Sequence, residues 1–137
     1  MRQERSETNP NDTMIHIPFV PVHEQIRRQA VLHPDRTAVI CAGKHLSYRE
    51  LDERSDRLAR ELIRRKIGKE ELVAVLFERD AAAYVAEIAV LKAGAAFMPF
   101  IPEYPEGRIS YCMQDSGSRW LVTSEKLKAE RDFPAAI

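Results

Sequence analysis

A chain of 137 residues has room for one domain with a real core and rarely for two. Apolar residues make up 45% and charged residues 31%, the balance of an ordinary soluble globular protein. Lysine plus arginine equals aspartate plus glutamate at 21 each, so the charge calls for neither nucleic acid nor an acidic membrane.

The polar segment Met1–Thr13 lacks the hydrophobic stretch of a secretory signal. Residues 1–16 are expected to form a disordered leader or linker, with the domain spanning 17–137. Ile17, Phe19, Val20 and Val22 alternate with Pro18 and Pro21, a pattern that suits an extended strap beginning near Ile15. A helix follows over Val22–Leu32, opened by Pro21 and ended by Pro34, with Val22, Ile26, Ala30 and Leu32 expected inward. Thr37–Cys41 is a β-branched strand, Ala42-Gly43-Lys44 turns the chain, and His45–Ser47 returns, so a hairpin is expected near residues 37–47.

Ser47-Tyr48-Arg49-Glu50 has the spacing of a capping box, in which serine and glutamate satisfy the free amides of a helix start. Tyr48, Leu51, Ser55, Leu58, Ala59, Leu62 and Ile63 then recur at three and four residues, one buried stripe that Gly68 is expected to terminate. Glu50, Asp52, Glu53, Asp56 and Glu61 are assigned to the solvated side, with arginines three or four residues away. Arg60, Arg64, Arg65 and Lys66 sit where cations suit the helix dipole, a simpler account than a nucleic-acid patch.

Leu72–Phe77 is apolar without alternation, the mark of a strand covered on both faces in a parallel sheet. Asp80 caps a helix over Ala81–Lys92, with Tyr84, Val85, Ile88, Ala89 and Leu91 inward and Gly94 at its end. Ala95–Phe100 is the next strand. Pro105 opens a helix through Asp115 that uses Ile109, Cys112 and Met113 and stops at Ser116-Gly117. Trp120–Thr123 is a further strand, and Ser124 caps a last helix running to Asp132. Strands alternating with helices predict an α/β domain with a mainly parallel sheet flanked by helices.

Chemistry is harder to find. Gly43, Gly68, Gly94, Gly107 and Gly117 are too far apart for a GxGxxG or Walker-type phosphate cradle. His16, His23, His33 and His45 show no metal-site spacing, no serine sits in a GxSxG elbow, and Cys41 and Cys112 form no CxxC. Two such thiols fit a reduced, cytoplasmic protein, and no apolar run approaches the roughly 18 to 20 residues of a membrane helix. Lys92 has two readings, a catalytic amine or a cation in a last helical turn with a structural or solvent-facing role; the second is the simpler. No catalytic, cofactor-binding or metal residue is assigned.

The order of the residues adds a resemblance. Leu46-Ser47-Tyr48-Arg49-Glu50-Leu51 resembles the first core motif of nonribosomal peptide synthetase adenylation domains, and Leu91-Lys92-Ala93-Gly94-Ala95-Ala96-Phe97-Met98-Pro99 resembles the second. Val22-His23-Glu24, His33 to Val39, the Val73 to Asp80 segment and Tyr104 to Ile109 are similar to the same family in order and spacing, so the likeness covers Ile17 to Thr123. It implies the N-terminal part of the large subdomain of an adenylate-forming enzyme. The complete enzyme would activate an amino acid with ATP and magnesium as an aminoacyl-AMP and pass it to a carrier-protein thiol. In that family the Ser/Thr/Gly-rich phosphate loop, the substrate pocket and the catalytic lysine lie further along than Ile137, so the chain is expected to be inactive alone. The Met1 start fits a stand-alone or first module. Fatty or aryl acid-CoA ligases are an alternative parent, and a noncatalytic docking module or a truncated relic is an alternative role. Partners implied are the remainder of the adenylation domain and a carrier protein, with self-association through an uncovered sheet edge. One departure stands out: Ile101 occupies the place of the family's usual aspartate in Pro99 to Pro105, removing a polar group that could anchor the next turn.

Overall fold

The computed structural model describes residues 19–131 and 133. The leader at residues 1–16, the first part of the strap and Asp132 lie outside the described residues. Phe19 is fully exposed, and Gln25 Nε2 donates to the Val20 carbonyl at 2.9 Å, tying the incoming chain to the first helix.

Helix α1 (Val22–Leu32) has no fully buried residue. Ile26 and Ala30 are half-buried as expected, but Val22 and Leu32 are exposed, a correction to the inward set. A single helix flank rests on the domain, and the two terminal residues fall beyond it. Strands β1 (Thr37–Cys41) and β2 (Lys44–Ser47) form an antiparallel hairpin with Cys41 opposite Lys44. Ala42 and Gly43 both take positive φ, 49° and 75°, giving the two-residue turn whose twist matches the strands. The return strand therefore begins at Lys44, one residue early.

Helix α2 (Tyr48–Arg64) starts on the full capping box: Glu50 N–H donates to Ser47 Oγ at 3.2 Å, and Ser47 N–H donates to Glu50 Oε2 at 2.9 Å. Leu51, Ser55, Ala59 and Leu62 are buried; Ile63 is 53% exposed and leaves the predicted stripe. One residue past Leu62 the helix has turned by about 100°, which carries Ile63 off the face that Leu62 buries.

The helix also ends before Gly68. Lys66 adopts φ 64°, Lys66 N–H donates to Ile63 O at 2.8 Å, and Ile67 N–H donates to Leu62 O at 3.0 Å. That is a Schellman ending with Lys66 in the left-handed position, and Ile67, 1% exposed, tucks under the last turn. The burial of Ile67 locates the stop where composition pointed to the glycine.

Strand β3 (Leu72–Leu76) lies between β4 (Ala96–Phe100) and β5 (Trp120–Thr123) in a parallel sheet of order β4-β3-β5. Its side chains alternate between two cores. Val73 and Val75 join Ala59, Leu62, Ala89 and Val90 on one face, while Ala74 and Leu76 join Phe100, Ile109, Leu121 and Leu127 on the other. Each fully buried leucine, isoleucine or valine contributes about 1.5–3 kcal/mol.

Helix α3 (Ala81–Lys92) is capped by Asp80 Oδ1, which accepts from Ala82 and Ala83 N–H at 3.0 and 3.3 Å. It buries Ala86, Ile88, Ala89 and Val90, whereas Tyr84 is 50% exposed, contrary to expectation. Alanine and valine let this helix approach both α2 and the sheet closely, and a tyrosine fits only at the rim. Helices α4 (Glu106–Ser116) and α5 (Glu125–Glu130) cover the second face. Gly94 and Gly117 terminate α3 and α4 with φ of 85° and 70°, as the sequence indicates.

Candidate functional site

The two motif segments meet through one cluster of charges. The capping box aims α2 so that Asp52 and Asp56, one turn apart, face the end of α3. Lys92 Nζ lies 2.6 Å from Asp52 Oδ1 and 2.6 Å from Asp56 Oδ1, and donates to the Asp52 carbonyl at 3.0 Å. The lysine side chain is 9% exposed and its partners 19% and 25%. Lys92 is therefore structural and enclosed, with all three ammonium hydrogens engaged. This corrects the placement of Asp52 and Asp56 on the solvated side. Their i, i+4 spacing beside buried Leu51 and Ser55 was the available signal.

A cavity of about 280 Å³ opens beside this cluster, lined by His23, Arg27, Asp56, Arg60 and Lys92 among others. A second, more apolar groove of about 390 Å³ lies between α1, β1, α2 and α3, with Ile26, Val39, Tyr48 and Tyr84 in its wall.

In open α/β sheets, ligands gather at the carboxyl ends of the parallel strands. Here two side-chain bonds cross that end of the sheet. Thr123 Oγ1 donates to Leu76 O at 2.7 Å, and Lys126 Nζ pairs with Glu78 Oε1 at 2.6 Å, which raises the lysine pKa. At the opposite end, Arg119 is 2.6 Å from Glu71, whose other oxygen accepts Gly68 N–H at 3.1 Å. The guanidinium and then the amide hold the Glu71 carboxyl below its usual range.

Glu61 takes both Arg64 and Arg65, each with a closest approach of 2.7 Å, and its pKa falls to about 2. The Glu87 carboxyl moves the other way from Glu61, pushed up by burial. Among the described residues no three His, Cys, Asp or Glu side chains come together as a metal site would need. His23, His33 and His45 stay apart on separate elements; Cys41 Sγ donates to Arg79 O at 2.9 Å, and Cys112 packs in the second core. With separated glycines as well, these residues do not fit the binding of ATP and magnesium by themselves.

The turn after β4 is closed by backbone carbonyls. Tyr104 N–H donates to Ile101 O at 3.1 Å, and the Arg131 guanidinium donates to the carbonyls of Pro102 and Tyr104. Nothing in the sequence pairs Arg131 with that turn.

Among the described residues, no helix is long and apolar enough to cross a membrane. A family model for AMP-binding enzymes matches residues 26–136. The chain is 42% identical over 110 residues to the dimodular nonribosomal peptide synthase of Bacillus subtilis (strain 168), covering 80% of this chain and 5% of that protein. Against tyrocidine synthase 2 of Brevibacillus parabrevis it is 42% identical over 123 residues, 90% of this chain and 3% of that one. Among solved structures, the nonribosomal peptide synthetase FmoA3 in its alpha-methyl-L-serine-AMP bound form superposes with a TM-score of 0.86 at 32% identity, over 93% of this chain and 15% of that chain. The N-terminal subdomain of Klebsiella oxytoca NpsA in complex with 3-hydroxyanthranilyl-AMSN gives 0.70 at 30% identity, over 79% and 28%. The chain thus spans a small share of each relative.

Proposed function

We infer the function from one premise: this chain belongs to the AMP-binding enzyme family, and its relatives are nonribosomal peptide synthetases. Residues 17–137 are read as the opening part of an adenylation domain. The complete enzyme would join ATP to the carboxylate of an amino acid, giving aminoacyl-AMP and pyrophosphate, and then transfer the acyl group to a carrier-protein thiol. This part would supply frame rather than chemistry. The observation that carries the reading is the Lys92 clamp, because it locks the helix opened by the first motif to the helix that begins the second. The remainder of the adenylation domain and a carrier protein are the partners of this proposal, and the cytoplasm its setting. An amino acid is favoured over an aryl acid by the closer superposition on FmoA3 in its alpha-methyl-L-serine-AMP bound form, with a TM-score of 0.86 against 0.70 for NpsA in complex with 3-hydroxyanthranilyl-AMSN.

Amino-acid-dependent ATP–pyrophosphate exchange tests it. The 137-residue chain alone is expected to give none. Mixed with a related adenylation domain from which the matching segment has been deleted, it is expected to restore exchange. Exchange by the chain alone, or no rescue by a stably associated mixture, would overturn the reading.

A further inference from the structure

α1 and the second half of α2 share one exposed face. Val31 and Leu32 are 77% and 66% exposed on α1, and Ile63 is 53% exposed on α2. Isolated apolar residues on a surface are ordinary, but these lie along one trough. Glu24 and Arg27 line both a cavity of about 350 Å³ walled by Val31 and Leu32 and the one of about 280 Å³ that reaches Arg60 and Ile63.

The charges beside it are segregated. Arg27, Arg28 and Arg60 line these cavities with the carboxylates Glu24 and Asp56, and Arg64, Arg65 and Glu61 follow at the end of α2. Those carboxylates are already engaged, Glu24 and Asp56 by Arg27, Asp56 by Lys92, and Glu61 by Arg64 and Arg65. Among the described residues, Arg28, Arg60 and Lys66 have no ion-pair partner. The helix dipole accounts for cations in the last turn of α2. It does not account for Arg27 and Arg28, because α1 has no basic residue in its last turn.

The geometry points to this trough as a docking surface for an acidic amphipathic polypeptide segment. Its apolar side chains sit on Val31, Leu32 and Ile63, and its carboxylates face Arg28 and Arg60. Charge complementarity selects an acidic partner. The aliphatic wall selects a polypeptide over a nucleic acid, which would want aromatic side chains for its bases to stack on. The docking residues Arg28, Val31, Leu32, Arg60 and Ile63 lie outside the family-like segments, although Glu24 and Lys92 of those segments border the trough.

Fluorescence anisotropy with the 137-residue chain provides the test. One labelled peptide of about 15 residues carries leucines at helical spacing and glutamates elsewhere. A second replaces each glutamate by lysine, a third replaces each leucine by serine, and a single-stranded DNA oligonucleotide is the fourth probe. The first should bind saturably and at least about tenfold more tightly than the other three, which is about 1.4 kcal/mol. Binding should weaken when salt rises from about 0.05 to 0.5 M. Val31→Asp with Leu32→Asp, and separately Arg28→Glu with Arg60→Glu, should each weaken it at least about tenfold at unchanged melting temperature. All four side chains are exposed; if one pair unfolds the chain, the other decides. No saturable binding of the first peptide, equal or tighter binding of any other probe, or folded variants that bind as before would overturn the proposal.

Discussion

Lys92 Nζ stands 2.6 Å from Asp52 Oδ1, although 40 positions separate the two residues in the chain. Asp56 approaches the same ammonium equally closely, so one cation bridges two largely enclosed carboxylates, the second of which also meets Arg27. Its removal would leave like charges facing each other with little water. Lys92→Met is expected to lower the unfolding free energy by about 2–4 kcal/mol, read as a fall in the urea midpoint. Asp52→Asn should cost less, because Asp56 keeps its partner. A Lys92→Met chain as stable as the parent would show that the clamp does not hold the two helices together.

The end of α2 offers a prediction of opposite sign. Lys66 sits at φ 64°, where a side chain costs about 1–2 kcal/mol. Lys66→Gly is expected to raise stability by about 1 kcal/mol, visible as a higher melting temperature. Gly94→Ala should lose a similar amount, because Gly94 has φ 85° while the nearest atom to an added Cβ is 3.8 Å away. Gly68→Ala, whose φ is not positive and whose nearest contact would be 3.7 Å, should be close to neutral. A large loss there would return the helix stop to Gly68.

Acid should release the grip on Glu61. Its pKa lies at about 2 in the folded chain against an ordinary 4.5, held down by Arg64 and then Arg65. The folded state therefore binds this proton more weakly than the unfolded state. The stabilisation from this pairing is present above pH 4.5 and is lost as the pH falls towards 2. Carbon-detected NMR titration should place the Glu61 midpoint near 2, and Glu61→Gln should reduce the loss of stability over that window. A midpoint at 4.5 would deny the pairing in solution.

Arg131 should matter more than its place near the end of the described chain suggests. It donates to Tyr104 O at 3.1 Å and to Pro102 O, fastening the turn that Ile101 opens. Arg131→Met is expected to cost about 1–2 kcal/mol and to speed hydrogen exchange at the Tyr104 amide. Unchanged exchange would mean that the Tyr104-to-Ile101 hydrogen bond holds the turn unaided.

Much of the fold was legible because its signals are short-ranged. Ser47 and Glu50 close their cap within one turn, Asp80 caps α3 within three residues, and Gly94 and Gly117 end helices by a requirement on their own φ. The continuous apolar run of β3 announced a strand with a core on each side. The inward and outward assignments were less secure at Val22, Leu32, Ile63 and Tyr84. A hydrophobic pattern gives the direction of a helix face, while its width depends on what packs against it.

By itself the sequence determined the element order, most helix boundaries and the family likeness, each from neighbours within a few positions or from motif order. The clamp was left to the tertiary structure. Lys92 read as a cation at a helix end, and only the packing of α2 against α3 put it between Asp52 and Asp56. The same is true of Lys66 taking the turn expected of Gly68 and of Arg131 fastening the turn after Ile101. In each case the energy lies in contacts made across the fold or in burial beneath it, and no local pattern of residues encodes which distant side chain will arrive.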